Sequence, residues 1–281
     1  MIVVKTVEAL RQEISQQKRQ DKCISFVPTM GNLHQGHLKL IKLARQKSDF
    51  VVASIFVNPL QFGQGEDFDN YPRTHESDIK KLNDENCDLL FLPSVETMYP
   101  NADLLQTLVE VPRLSDMLCG ESRPGHFNGV STVVCKLFNL VQPNVAIFGE
   151  KDFQQLMVIR RMVADLCMPI EIVGASIVRE NDGLAMSSRN GYLDDEQRKL
   201  APKIYSQLKL LADELLNGMD DYSRLEKKFS DQLNQLGFET DYIAIRRSRD
   251  LLPPDKDEKE LIILIAAFLG KTRLIDNLVL T

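Results

Sequence analysis

From the N-terminus to about residue 177, short apolar runs alternate with amphipathic stretches. The opening Met1-Ile2-Val3-Val4-Lys5 predicts a strand, as do residues 24–28, 50–57, 88–92, 107–111, 145–149 and 170–176. The run Phe50-Val51-Val52-Ala53-Ser54-Ile55-Phe56-Val57 is almost continuously apolar, the pattern of a central parallel strand covered on both faces. Helical patterns fall near 37–48, 75–86, 130–141 and 153–166; in the last, Leu156, Ile159, Val163 and Leu166 recur at helical spacing. This alternation predicts an α/β fold, a doubly wound, Rossmann-like parallel sheet with right-handed crossovers. Such sheets bind ligands beyond the carboxyl ends of their strands, where the strand order reverses.

The last third changes character. Residues 195–236 read as helix broken at Asn217-Gly218, followed by strands at 241–245, 261–265 and 273–280, with Gly270-Lys271 as a hairpin turn. Two helices and a small antiparallel sheet predict a second, α+β domain. The boundary is placed near Ile177, just before Arg179-Glu180-Asn181-Asp182-Gly183, giving domains 1–177 and 178–281.

Composition narrows the function classes. The 281 residues are 43% hydrophobic and 26% charged, as in globular proteins, and no apolar run approaches a membrane span. The N-terminus lacks the basic region and long apolar core of a signal peptide, so a cytoplasmic location is expected. Cys23, Cys87, Cys119, Cys135 and Cys167 are scattered and odd in number, which reads as reduced, mostly buried thiols. A net charge of −6 argues against a nucleic-acid partner, so an anionic ligand must be met by locally placed cations. The brief Arg246-Arg247-Ser248-Arg249 run reads as a solvated strand end.

Two of the four histidines stand together in Pro28-Thr29-Met30-Gly31-Asn32-Leu33-His34-Gln35-Gly36-His37, where an apolar strand gives way to an amphipathic helix. A helix N-terminus collects backbone N–H groups and favours anions. Imidazoles at that point add hydrogen-bond donors for phosphate. A zinc reading needs a third ligand, and the chain has neither a Cys-x-x-Cys nor a His-Glu-x-x-His pattern.

Three further loops follow predicted strands: Asn58-Pro59-Leu60-Gln61-Phe62-Gly63, Gly149-Glu150-Lys151-Asp152-Phe153-Gln154-Gln155, and the run leading to Met186-Ser187-Ser188-Arg189-Asn190. Lys151 suits a phosphate or carboxylate, or pairs with Glu150 or Asp152. Asp152 reads as a helix N-cap or as a partner of a ribose hydroxyl. Gln61 and Gln155 suit a small polar substrate; Asn58 serves that substrate or the turn at Pro59. Ser187, Ser188 and Arg189, preceded by Asn181-Asp182-Gly183, suit a loop closing on a triphosphate, and either serine also reads as a helix cap. His126, in Arg123-Pro124-Gly125-His126-Phe127, contacts substrate or pins its loop, and His75 reads as a solvated helix start.

Taken together, Pro28-Thr29-Met30-Gly31…His34-x-Gly36-His37, Phe56-Val57-Asn58-Pro59-x-Gln61-Phe62, Arg123-Pro124-Gly125-His126-Phe127, Gly149-x-Lys151-Asp152-x-Gln154-Gln155 and Met186-Ser187-Ser188-Arg189-Asn190 resemble the pantoate–β-alanine ligase family of the HxGH nucleotidylyltransferase superfamily. The resemblance runs through nearly the full length. It implies that pantoate and ATP give pantoyl adenylate and pyrophosphate, and that β-alanine then gives pantothenate and AMP. It also implies Mg2+, a homodimer and a C-terminal domain that lids the site. On the same grounds His34, His37, Lys151, Ser187, Ser188 and Arg189 face the phosphates. Gly149, Asp152, Val178 and Met186 line the adenosine site, and Gln61 and Gln155 hold pantoate with apolar contact from Met30. Met30 also borders ATP, and Asn58 and Arg123 belong to the substrate subsite. Asp78 reads as a helix-surface carboxylate or as a holder of a magnesium-bound water. The competing readings are a nucleotidylyltransferase acting on a phosphorylated acceptor, disfavoured by the paired glutamines, and a nucleotide-binding regulatory module.

Overall fold

The computed structural model describes residues 1–63, 65–100, 107–255 and 258–280. They form two compact units, one of residues 1–150 and 155–176, the other of residues 151–154 and 177 onward.

The first unit runs β1 (Ile2–Val4), α1 (Val7–Lys18), β2 (Ile24–Thr29), α2 (Gln35–Lys47), β3 (Phe50–Ile55), α3 (His75–Asp84), β4 (Leu89–Phe91), α4 (Val95–Met98), α5 (Cys119–Ser122), α6 (His126–Val141), β5 (Val145–Gly149), α7 (Phe153–Asp165) and β6 (Glu171–Ala175). Its six strands are ordered β1-β4-β3-β2-β5-β6, and every pairing is parallel. This is the expected doubly wound sheet. Successive residues of β2 show why it is covered twice. Val27 packs with Ile41 and Ala44 of α2 and Ala53 and Ile55 of β3. Phe26 instead meets Phe138 of α6 edge-on, ring centroids 6.3 Å apart. All six residues of β3 are buried. Strand order reverses between β2 and β5, so the loop after β2, which carries the histidine pair, lies at the crevice such sheets use for ligands.

Two expectations fail here. Residues 107–111 form no strand. The Val109 N–H donates to Thr132 Oγ1 at 2.9 Å and its carbonyl accepts from Ser131 Oγ, so α6 side chains satisfy the backbone that a strand partner would have taken. The helix expected from 130 begins at His126, immediately after Gly125, whose φ of +81° turns the chain into it. The pattern also passed over α1, a polar helix whose buried apolar side chains are Leu10 and Ile14.

The second unit contains α8 (Asp195–Leu200), α9 (Lys203–Leu216), α10 (Tyr222–Gln235), β7 (Glu239–Arg247), β8 (Leu261–Leu269) and β9 (Thr272–Leu280). The three strands are antiparallel in the order β7-β8-β9, and Gly270, at φ +60°, makes the predicted hairpin turn. Leu208 and Leu211 of α9, Phe229 and Leu233 of α10, and Ile245, Ile263 and Ile265 of the sheet share one core. Three helices stand where two were expected, because Pro202 interrupts the run between α8 and α9. The basic run is not simply solvated: Arg246 pairs with Glu226, Arg247 with Asp250 and Arg249 with Glu258.

None of the described residues forms a helix long and apolar enough to cross a membrane. All five cysteines are free, but only Cys87 and Cys119 are buried and Cys167 is exposed. Burial pushes the Cys87 thiol up to about 12, leaving it protonated and inert at neutral pH.

Candidate active site

The histidine pair is part of the helix start itself. His34 is the N-cap of α2, in extended conformation, and His37 is the third helical residue. The His34 Nδ1 accepts from the Gly36 N–H at 3.1 Å, and the His37 Nδ1 accepts from the His34 N–H at 3.3 Å. This is a reciprocal capping box built from two imidazoles. A neutral imidazole that accepts at Nδ1 carries its proton at Nε2. Both rings are therefore set as Nε2–H donors, their centroids 4.1 Å apart, beside the positive end of α2.

The loop ahead of the cap is clamped from α3. Asp78 is fully buried, not at the helix surface. Its Oδ2 accepts from the Asn32 N–H at 2.9 Å and from Thr74 Oγ1 at 3.1 Å, and its Oδ1 accepts from the Leu33 N–H at 2.8 Å. Lys81 Nζ donates to the Leu33 carbonyl at 2.7 Å. Gly31 has φ +87°, and a Cβ there would stand 3.0 Å from Ile55 Cγ2 and 3.2 Å from Asp78 Oδ2, so the tight approach needs glycine.

Gln61 closes a 3₁₀ turn, Pro59–Gln61, and sits in a frame of polar contacts. Its Nε2 lies 2.8 Å from Met30 Sδ. Asn58 is buried, donating to the Gly129 carbonyl at 3.0 Å and to Gln61 Oε1 at 3.3 Å. Its Oδ1 accepts from Tyr99 Oη at 2.9 Å and from the Leu60 N–H at 3.3 Å. With its donors and acceptor engaged, Asn58 holds the turn, one of the two roles its sequence position allowed. Arg123 makes a two-pronged ion pair with Glu66 at 2.7 and 2.6 Å and lies 3.0 Å from His126 Nε2. A guanidinium only donates, so His126 accepts at Nε2 and donates from Nδ1 to the Gln61 carbonyl at 2.7 Å. His126 thus pins its loop to Gln61. Burial tends to raise the Glu66 carboxyl, but the Arg123 hydrogen bond and charge outweigh it and hold the group below its ordinary value.

In the second unit, Lys151 lies in a 3₁₀ turn, Glu150–Asp152, and its carbonyl accepts from Asn277 Nδ2 at 2.9 Å. Val178 and Met186 face each other across a narrow hairpin, the Met186 N–H donating to the Val178 carbonyl at 2.9 Å. Ser187 caps the following 3₁₀ turn, Ser188–Tyr192, its Oγ accepting from the Arg189 N–H at 3.2 Å. Gly149, Lys151, Gln155, Val178, Met186, Ser187, Ser188 and Arg189 are half-buried and Asp152 is exposed. Glu66, Tyr99 and Asn277 carry no sequence expectation as site residues, and the expectation for Asp78 is a surface carboxylate or a holder of a magnesium-bound water; each acts through a long-range contact that leaves no local signature.

A family model described as pantoate-beta-alanine ligase matches residues 2–279. The chain belongs to the pantoate–β-alanine ligase family. It is 56% identical over 278 residues to the pantothenate synthetase of Pseudomonas fluorescens, covering 99% of this chain and 97% of that one. To the pantothenate synthetase of Pseudomonas entomophila it is 56% identical over 280 residues, covering 100% and 98%. The crystal structure of the Thermus thermophilus pantothenate synthetase aligns with TM-score 0.91 at 46% identity, covering 99% of each chain. The Francisella tularensis ligase, solved with β-γ ATP and β-alanine, aligns with TM-score 0.84 at 36% identity, covering 99% of this chain and 97% of that one. The chain is therefore an enzyme that ligates pantoate and β-alanine.

For this ligase, the packing of α6 on the Gln61 turn yields a sharp expectation. A Cβ on Gly129 would lie 2.2 Å from the Leu60 carbonyl oxygen and 2.7 Å from the Gln61 backbone nitrogen. Gly129→Ala must therefore displace the turn, costing about 1–3 kcal/mol in folding stability. Steady-state kinetics should show a raised KM for pantoate. An unchanged KM in a folded variant would separate Gln61 from pantoate binding.

Proposed function

We propose that the ligation is driven by ATP through a pantoyl adenylate. A pantoate carboxylate oxygen attacks the α-phosphorus and the bond to pyrophosphate breaks. The β-alanine ammonium gives up one proton to free its lone pair, the nitrogen attacks the acyl carbon, and loss of a second proton and departure of AMP leave the amide with its one N–H. The observation that carries this reading is the double imidazole cap of α2. It fixes two Nε2–H donors at a helix N-terminus, suited to negative charge growing on phosphate oxygens in the transition state. Because the backbone already sets their tautomer, no reorganisation is needed as the charge develops.

In this reading Lys151, Ser187, Ser188 and Arg189 serve the same phosphates, and Gly149, Asp152, Val178 and Met186 the adenosine. Gln61 and Gln155 hold pantoate, with Met30 in apolar contact. Arg123 and Asn58 serve the substrate subsite by fixing Gln61. The described residues bring together no group of three or more His, Cys, Asp or Glu side chains able to hold a metal. Asp78 already accepts from two backbone N–H groups and a hydroxyl. Magnesium accordingly fits as a passenger on ATP oxygens and water, and no step is assigned to it. A cytoplasmic homodimer completes the proposal.

Exchange of labelled pyrophosphate into ATP tests the order of steps. Exchange should require pantoate and proceed without β-alanine. Exchange that ignores pantoate, or that appears only with a phosphorylated acceptor such as nicotinamide mononucleotide, would replace this reading with nucleotidyl transfer.

A further inference from the structure

The strand β9 carries a buried polar corner that the ligation chemistry described above does not use. Asp276 and Asn277 are 2% and 3% exposed, on a strand paired with the wholly apolar β8. A buried carboxylate and amide are costly unless hydrogen-bonded, and here their bonds reach the Lys151 backbone and the Arg179 side chain. Asn277 Nδ2 donates to the Lys151 carbonyl across 126 positions of sequence. The Asn277 N–H is itself held by Asp276 Oδ1 at 2.8 Å. Asp276 receives both prongs of Arg179, at 2.6 and 3.0 Å, and Arg179 also donates to the Gly183 carbonyl at 3.1 Å, bracing the hairpin that leads into Ser187. The Arg179 guanidinium stacks on Tyr205, 3.6 Å from the ring centroid, which fixes it further.

We propose that Asn277 is a positioning residue for Lys151, holding the lysine's backbone so that its ammonium meets the ATP phosphates. The inference rests on the reading of Lys151 as an ATP ligand. Lys151 sits in a single 3₁₀ turn, a short element whose own hydrogen bonds fix it weakly, so a carbonyl anchor from a buried strand decides where its side chain starts. Asp276 and Arg179 brace that anchor through the Asn277 backbone, whose N–H donates to Asp276 Oδ1 and whose carbonyl accepts from Arg179.

The experiment is an ATP titration of the full-length enzyme at saturating pantoate and β-alanine, for Asn277→Ala, Lys151→Ala and the double variant. Asn277→Ala should raise the KM for ATP about tenfold, the scale of one buried hydrogen bond, and leave the KM for pantoate unchanged. In the Lys151→Ala background the same substitution should add less than about twofold, because residues acting as a unit are not additive. A folded Asn277→Ala enzyme with the normal KM for ATP overturns the inference, as does an equal rise in the KM for pantoate or a full effect in the Lys151→Ala background. If Lys151→Ala alone leaves the KM for ATP unchanged, the ATP reading of Lys151 fails and takes this inference with it. If Lys151→Ala raises it and Asn277→Ala does not, only the inference fails. Should Asn277→Ala not fold, Asn277→Ser goes through the same cycle with the same criteria.

Discussion

Replacing His37 with alanine should slow pantoyl adenylate formation by about 10²–10³-fold, the usual loss for one donor aimed at a developing oxyanion. The protein should still fold. His37 contributes one capping bond at 3.3 Å, and losing a cap costs only about 0.5–2 kcal/mol. Because His34 and His37 each have a backbone partner at Nδ1, a loss of activity in an alanine variant invites the objection that only the cap was lost. His34→Asn answers it. Asparagine is among the best N-cap residues, so the start of α2 is kept, but it provides no donor where the imidazole Nε2–H stood. Its melting temperature should stay near that of the parent while single-turnover adenylation falls by a similar factor. Normal adenylation in folded His34→Asn and His37→Ala enzymes would reduce the pair to a structural cap and leave the phosphates to other donors.

How much of this was legible in the chain depends on the range of each interaction. The parallel strands were visible because their both-face burial leaves continuous apolar runs, as in Phe50–Ile55. The histidine pair was visible because a capping box is local, with partners three residues apart. Residues 107–111 misled because a short run with Leu108, Val109 and Val111 reads as a strand, while its true partners, Ser131 and Thr132, lie more than twenty positions away. Arg123 was found by its motif, but its bond to Glu66 spans 57 positions, so its task of bracing Gln61 through His126 was not readable. Asp78 is the clearest case. On a helix bearing Glu76, Lys80, Lys81 and Asp84, one more carboxylate looks solvated, and only the fold turns it inward.

Asp78→Ala should therefore do more damage than its place on a polar helix suggests. It would strand two backbone N–H groups, those of Asn32 and Leu33, each at a cost of about 1–3 kcal/mol when unpaired. Chemical denaturation should show a loss of about 2–6 kcal/mol. The catalytic effect should be larger than the stability loss implies. Asn32 and Leu33 directly precede His34, and Gly31 packs against the same carboxylate, so releasing the clamp frees the entry to the imidazole cap. Misplacing reacting groups by about 1 Å costs on the order of 10²-fold, so adenylation should fall on that scale in the fraction that is folded. Asp78→Asn separates the two contributions. It keeps shape and one acceptor but turns an amide N–H toward a backbone N–H, so the loop is pushed off its register while most of the α3 packing survives. Its stability should lie between those of the parent and Asp78→Ala, with adenylation still impaired. The account of Asp78 as the clamp on the histidine loop fails if Asp78→Asn adenylates at the parental rate, because a loop that tolerates two opposed donors was not being held by that carboxylate.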